Sequence, residues 1–315
     1  MKNNGLPISA ITLGTWVFGG KFWGGVNERE CIDAVLFAVE NDINCIDTAP
    51  IYGSGKSEII VGKALQKLKA KRDRLIIATK CGLTIKGPKI LHDLSPESVQ
   101  RELELSLKRL QTDYIDLYQC HWPDENIPIE KTLETLQKFQ REGKIRHIGL
   151  SNYSVDLFQK ACRQTSIATS QNQYSLLDRL VEKDLLPFLK ENFIGLLAYG
   201  PLAGGILTGK YKKAPHFQSK DVRQFFYKYY EGEAFKNTER LVSRLKEFER
   251  PLNQLAINWV RQRPGVQSVI VGCRNPRQVE QNVQALKWDL SKEELEKIET
   301  IKKDWAQHEQ FAVNR

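Results

Sequence analysis

The chain has 315 residues, 41% hydrophobic and 27% charged, an ordinary globular composition. Its formal charge is +9, but Lys and Arg are spread along the whole sequence, the densest stretch (67–74) still contains Asp73, and no aromatic-basic ladder accompanies it; nucleic acid is therefore not an expected partner. No run of 18 apolar residues exists, so membrane insertion is not expected, and residues 1–5 lack the apolar stretch of a secretory signal.

Short apolar strands are expected at 11–16, 43–47, 75–80, 114–121, 145–151, 167–173, 194–200 and 268–272. Segments of helical period lie between them. One covers 95–110, opened by Ser95-Pro96, with Val99, Leu103, Leu107 and Leu110 on one face. Another covers 130–141 and stops before Gly143. A last one, 292–301, is opened by the capping box Ser291-Lys-Glu-Glu294.

Strict βα alternation implies parallel strands joined by right-handed crossovers. Eight such units predict an α/β fold, an eight-stranded parallel (β/α) TIM barrel, with residues 1–315 forming one domain. An open doubly wound sheet usually uses five or six, and no strand here is followed by GxGxxG. One stretch, 201–237, breaks the rhythm. It holds Gly204-Gly205, Gly209-Lys210 and the cluster Phe225, Phe226, Tyr227, Tyr229, Tyr230. Loops this long inside a compact domain are usually functional. Six scattered cysteines without a CxxC pair read as reduced thiols of a cytoplasmic protein, and the Asn152-Tyr-Ser154 sequon is then incidental.

The strand ends carry the chemistry. Asp47 closes strand two and Tyr52 follows it, Lys80 closes strand three, and His121 closes strand four. In a barrel all these ends open into one mouth. Reducing a carbonyl leaves charge on oxygen, and a proton donor must meet it there. Tyr52 suits that task if its pKa, about 10 when free, is brought towards neutrality by Lys80. Moving it to about 7 takes about 4 kcal/mol, within reach of one close charge in a poorly hydrated site. Asp47 holds Lys80 as an ammonium, and His121 orients the carbonyl.

The segments Gly14-Thr-Trp16, Asp47-Thr-Ala-Pro-Ile-Tyr52-Gly53, Ala78-Thr-Lys80, Gly149-Leu-Ser151-Asn152, Asn172-Gln173-Tyr174 and Gly272…Asn275-Pro-Arg-Gln278…Asn282 resemble the aldo-keto reductase superfamily across nearly the whole chain. The Trp16…Trp23-Gly-Gly pattern and His121-Trp-Pro-Asp124 resemble the branch of bacterial general-stress and inositol-locus reductases and potassium-channel β subunits. The resemblance implies a cytoplasmic NADP-dependent oxidoreductase acting on CH–OH donors, with NADP(H) extended across the mouth and Asp47, Tyr52, Lys80 and His121 as catalytic tetrad. It also implies cofactor contacts from Gly14, Thr15, Trp16 and Asp47. Ser151, Asn152 and Gln173 match the carboxamide ligands, and Tyr199 matches the nicotinamide-stacking aromatic. Gly200, Pro201, Leu202, Gly204, Gly209 and Lys210 match the pyrophosphate loop, and Gly272, Arg274, Gln278 and Asn282 the adenosine end. Arg274 suits a 2′-phosphate, because guanidinium forks pair with phosphate oxygens. Two departures are Gly200, where the family often has Ser, and Val271, where it often has Pro.

Trp23, Tyr52, His121 and Trp122 are the expected substrate contacts, favouring apolar or aromatic carbonyls without excluding sugars. Gly53-Ser-Gly55-Lys56-Ser57 is a decoy for a P-loop, since the Gly required five positions before Gly55 is Pro50. His92, His121, His147, His216 and His308 show no metal-ligand spacing, so no metal is expected. Two functions fit: a reductase of small carbonyl substrates, or an NADP(H)-binding sensor or subunit of a larger assembly with little turnover. Retention of all four catalytic residues favours the first. The oligomeric state is open.

Overall fold

Each barrel strand is a short, nearly buried run that ends in turn chemistry. The strands are β1 (Ile11–Gly14), β2 (Cys45–Asp47), β3 (Ile76–Cys81), β4 (Leu83–Lys86), β5 (Lys89–His92), β6 (Ile115–Cys120), β7 (Ile145–Ser151), β8 (Thr169–Gln173), β9 (Gly195–Tyr199) and β10 (Val266–Gly272). The helices are α1 (Glu28–Glu40), α2 (Lys56–Lys67), α3 (Pro96–Leu110), α4 (Ile129–Arg141), α5 (Val155–Gln164), α6 (Leu185–Glu191), α7 (Arg223–Phe226), α8 (Gly232–Leu245), α9 (Leu252–Arg261), α10 (Pro276–Val283) and α11 (Lys292–Glu309). This computed structural model describes residues 6–20, 23–87, 89–219 and 221–309, with side chains through Trp305 in the last helix. Residues 1–5, on which the expectation of no secretory signal rests, lie outside the described residues.

All strands except β4 and β5 pair in parallel in the order β1-β10-β9-β8-β7-β6-β3-β2. The ring closes because β1 pairs with β10 (Ile11↔Val269) and with β2 (Leu13↔Ile46). This is the eightfold parallel barrel that the alternation predicts. Closure leaves no unpaired edge, which is how a sheet this wide avoids templating another chain. Inside the ring a small cluster includes Cys45, Ile76, Ala78, Leu117, Leu197 and Ile270. Leu6 seals its N-terminal end, held through its carbonyl by Gln267 Nε2 at 2.8 Å. The larger apolar layer lies between strands and helices, where each buried Leu, Ile or Val contributes about 1.5–3 kcal/mol.

The helix signals act as expected. Ser95 accepts from the Ser98 amide at the start of α3, and Val99, Leu103 and Leu110 are fully buried. Ser291 and Glu294 exchange backbone-to-side-chain bonds of 3.1 and 2.8 Å, the reciprocal capping that starts α11. That helix runs on to Glu309, eight residues past the expected end.

Two features differ from the sequence reading. Residues 83–92 form an antiparallel hairpin, β4–β5, between β3 and α3. The segment 201–237 is not structureless. It holds the turn Ala203–Thr208, α7 and the turn Lys228–Tyr230, and α8 already begins at Gly232. Edge-on contacts of Tyr230 with Tyr211 (5.4 Å) and Phe217 (4.8 Å) order it. Among the described residues no helix is long and apolar enough to cross a membrane.

Candidate active site

Asp47, the last residue of β2, is buried and accepts four side-chain bonds. Lys80 Nζ lies 2.9 and 2.8 Å from its two oxygens, Gln171 Nε2 at 2.8 Å and Gln119 Nε2 at 3.4 Å. Lys80, wholly buried on β3, also donates to the Thr48 carbonyl at 2.9 Å and reaches Tyr52 Oη at 3.3 Å. Tyr52 sits on the turn between β2 and α2, where Ser57 N donates to its carbonyl at 3.2 Å. Ser57, part of the P-loop decoy, spends its hydroxyl on Thr15 and Thr48. The Trp16 ring stacks on Tyr52 at 5.9 Å, and the His121 ring meets it edge-on at 5.9 Å. The expected quartet is thus brought together.

Its electrostatics differ from expectation in one respect. Burial, and then the Asp47 carboxylate, push the Tyr52 phenol well above its ordinary value, not towards neutrality. Burial is the larger cause, and the Lys80 charge that would oppose it is matched by Asp47 at 2.8 Å, so the phenol faces a nearly neutral pair. Burial lowers Lys80, and Asp47 opposes that shift. Burial, with Lys80 and His92 adding to it, pushes His121 well below the usual imidazole range, so its ring is neutral.

Above this set a cavity of about 1290 Å³ opens across the mouth. Ser151 and Asn152 line it where β7 ends, and Asn152 adopts a left-handed φ of 64°. That turn aims its amide inward: Nδ2 donates to the His121 carbonyl (3.0 Å) and Ser151 Oγ (3.0 Å), while Oδ1 accepts from Tyr199 Oη (2.9 Å). Gly14, Trp16 and Asp47 lie on the wall, as do Gly200, Pro201, Leu202, Gly204 and Lys210. Gly272, Arg274, Gln278 and Asn282 line the far end, and Trp23 and Trp122 line the cavity with Tyr52 and His121.

Three of the expected cofactor residues lie elsewhere. Thr15 is buried and gives its hydroxyl to the Asp47 carbonyl at 2.8 Å. Gly209 ends the turn Ala203–Thr208 in a left-handed conformation, packed against Leu252. Gln173 is not on the cavity wall; Gln171, two residues earlier on β8, is, with its amide on Asp47. The structure also adds groups that the sequence reading missed. Arg223 lines the cavity, is paired with Asp221 at 2.5 Å, and lies over the Trp23 ring at 5.6 Å. Arg274 Nη2 donates to the Trp23 carbonyl at 2.6 Å. Leu83, Ile90 and His92 of the hairpin also line the cavity, and the Gly-Pro pair at 87–88 of the sequence, between two four-residue runs, is the signal that could have found them.

A nicotinamide dinucleotide fits these residues. The cavity is about 1290 Å³, amide and hydroxyl groups cluster beside Tyr52, and the cations Lys210, Arg223 and Arg274 line it. Gly204 and Gly205, at φ 68° and 102°, turn the backbone along the wall: a Cβ on Gly204 would strike the Tyr227 ring at 2.7 Å, and one on Gly205 would stand 3.2 Å from Lys210 Nζ, the cation suited to a phosphate. Among the described residues no cluster of His, Cys, Asp and Glu could hold a metal ion.

Fold and mouth together define an oxidoreductase built on a closed βα barrel. The profile of the Aldo/keto reductase family matches residues 10–303, and the chain belongs to that family. It is 39% identical over 306 residues to the aldo-keto reductase YhdN of Bacillus subtilis, covering 96% of this chain and 92% of that protein. It is 35% identical over 308 residues to a protein of Escherichia coli named NADH-specific methylglyoxal reductase, covering 91% and 92%. Among solved structures, the glycerol dehydrogenase AKR11B4 of Gluconobacter oxydans superposes with a TM-score of 0.87 at 34% identity, covering 98% of this chain and 94% of that one.

Proposed function

We propose that the protein reduces aldehydes or ketones to alcohols with NADPH, and that Tyr52 supplies the proton. The observation that carries this reading is the buried Lys80 ammonium 3.3 Å from Tyr52 Oη, itself held by Asp47. The nicotinamide ring, when bound, supplies the hydrogen and electron pair that reduce the carbonyl carbon. The chain's own groups act on the oxygen. Because Tyr52 Oη accepts from Lys80, its own O–H is left for the substrate. His121, kept neutral by burial, offers a ring N–H to the same oxygen without competing as an acid. A raised phenol pKa keeps the proton on Tyr52 until charge develops on the carbonyl oxygen. The phenolate left behind then lies beside the Lys80 ammonium, and Asp47, anchored by Gln171 and Gln119, keeps that ammonium charged and in place.

For the cofactor, Ser151, Asn152 and Gln171 present amide and hydroxyl groups suited to both ends of a carboxamide, and Tyr199 offers a ring face. Arg274 and Arg223 support NADPH over NADH. Asp47, at the opposite end, is the one acidic residue on the wall among those described; Asp221, behind the wall, pairs with Arg223 at 2.5 Å and leaves Arg274 as the cation for an added phosphate. The Escherichia coli relative's NADH-specific name makes this choice the one to measure. Tyr52→Phe tests the chemistry: reduction should stop while cofactor still binds.

A further inference from the structure

The hairpin β4–β5 pairs Leu83 with His92 and Ile85 with Ile90. Residues directly opposite, and those two apart along a strand, share a face. Leu83, Ile85, Ile90 and His92 therefore stand on one side of the hairpin, and Leu83, Ile90 and His92 are on the cavity wall. At the outer end of that face Ile85 is 50% exposed and Ile90 59%. Phe226, also on the cavity wall and 43% exposed, meets Trp16 edge-on at 5.0 Å, and Trp16 stacks on Tyr52. Single exposed apolar side chains are ordinary on a protein surface. These differ in continuing the wall of the reaction cavity outward from Tyr52 and His121, by about 7 Å along the strand from Leu83 to Ile85.

We infer that this hairpin face and Phe226 form a subsite for the apolar tail of the substrate, making unbranched, uncharged aliphatic aldehydes of medium length the substrate class. The inference rests on the reading of Tyr52 and His121 as the groups that hold the carbonyl oxygen. With the head fixed there, each further methylene leaves water against the hairpin face. The double variant Ile85→Ser with Ile90→Ser removes the apolar hairpin face at exposed positions, and Phe226→Ser removes the ring beside Trp16.

The test is kcat/KM with NADPH for propanal, butanal, hexanal and octanal in wild type and both variants. Wild type should gain about two- to fourfold per methylene, so octanal should exceed butanal at least about tenfold. In each variant the octanal-to-propanal ratio should fall about tenfold. A flat series in wild type, or a ratio that neither variant changes, overturns the tail subsite alone. A wild type that reduces none of the four overturns the reading of Tyr52 and His121, and the subsite with it.

Discussion

Gly19 and Gly53 meet backbone to backbone: a Cβ on Gly53 would stand 2.6 Å from both Cα and O of Gly19, and one on Gly19 2.7 Å from Gly53 N. The contact presses the turn after β1 against the turn that carries Tyr52. Gly19→Ala should force the two apart, costing about 1–3 kcal/mol of stability. Because it moves the phenol, kcat should fall about ten- to hundredfold even where the protein remains folded. Thermal melting and steady-state kinetics measure both; an unchanged kcat would mean that the contact does not position Tyr52.

Gln171 and Gln173 separate two readings of β8. Gln171→Ala removes an amide that lies on Asp47 at the cavity floor, so NADPH and NADH should both weaken about three- to tenfold. Gln173→Ala should leave both affinities within about twofold. Quenching of tryptophan fluorescence gives the dissociation constants, and the opposite ranking would return the carboxamide site to Gln173.

Arg274→Ala should weaken NADPH about 10- to 150-fold and NADH little, since a charge-assisted bond to phosphate contributes roughly 1.5–3 kcal/mol. Equal weakening of both cofactors would reduce Arg274 to the clasp on the Trp23 carbonyl that it also forms. Equal affinity of wild type for both would end the NADPH assignment.

The raised Tyr52 pKa fixes the sign of the pH dependence. Reduction uses the protonated phenol, so its kcat should be level from about pH 6 to 9. His121, held neutral well below its ordinary 6.5, adds no step in that range. Alcohol oxidation needs the phenolate, whose fraction grows about tenfold per pH unit below the pKa. Its rate should climb through pH 9 without a plateau. A plateau near neutrality would mean that bound cofactor and Lys80 lower the phenol after all.

The barrel was legible because eight apolar runs recur between helical periods, and the quartet because Asp47, Lys80 and His121 sit at strand ends and Tyr52 on the turn that follows the first of them. Depth within the barrel was not legible. Gln171 and Gln173 share a face by the two-residue period of a strand, and only strand register decides which one reaches Asp47. The hairpin escaped because residues 83–92 lie beside an already assigned strand, and each of its strands is only four residues long. The Tyr52 shift was misjudged because the sequence names Lys80 and Asp47 as neighbours without saying how fully one cancels the other.

The central claim is that Tyr52 gives the proton, and one measurement addresses it directly. Tyr52→Phe removes a single oxygen beside Lys80 and leaves Ser151, Asn152, Gln171 and Arg274 untouched. Rapid mixing of the NADPH complex with hexanal, followed by loss of NADPH absorbance over a single turnover, reports reduction without product release. NADPH should bind the variant within about twofold of wild type, while reduction slows by about 10²–10⁴-fold. Reduction at close to the wild-type rate with NADPH bound would contradict the account.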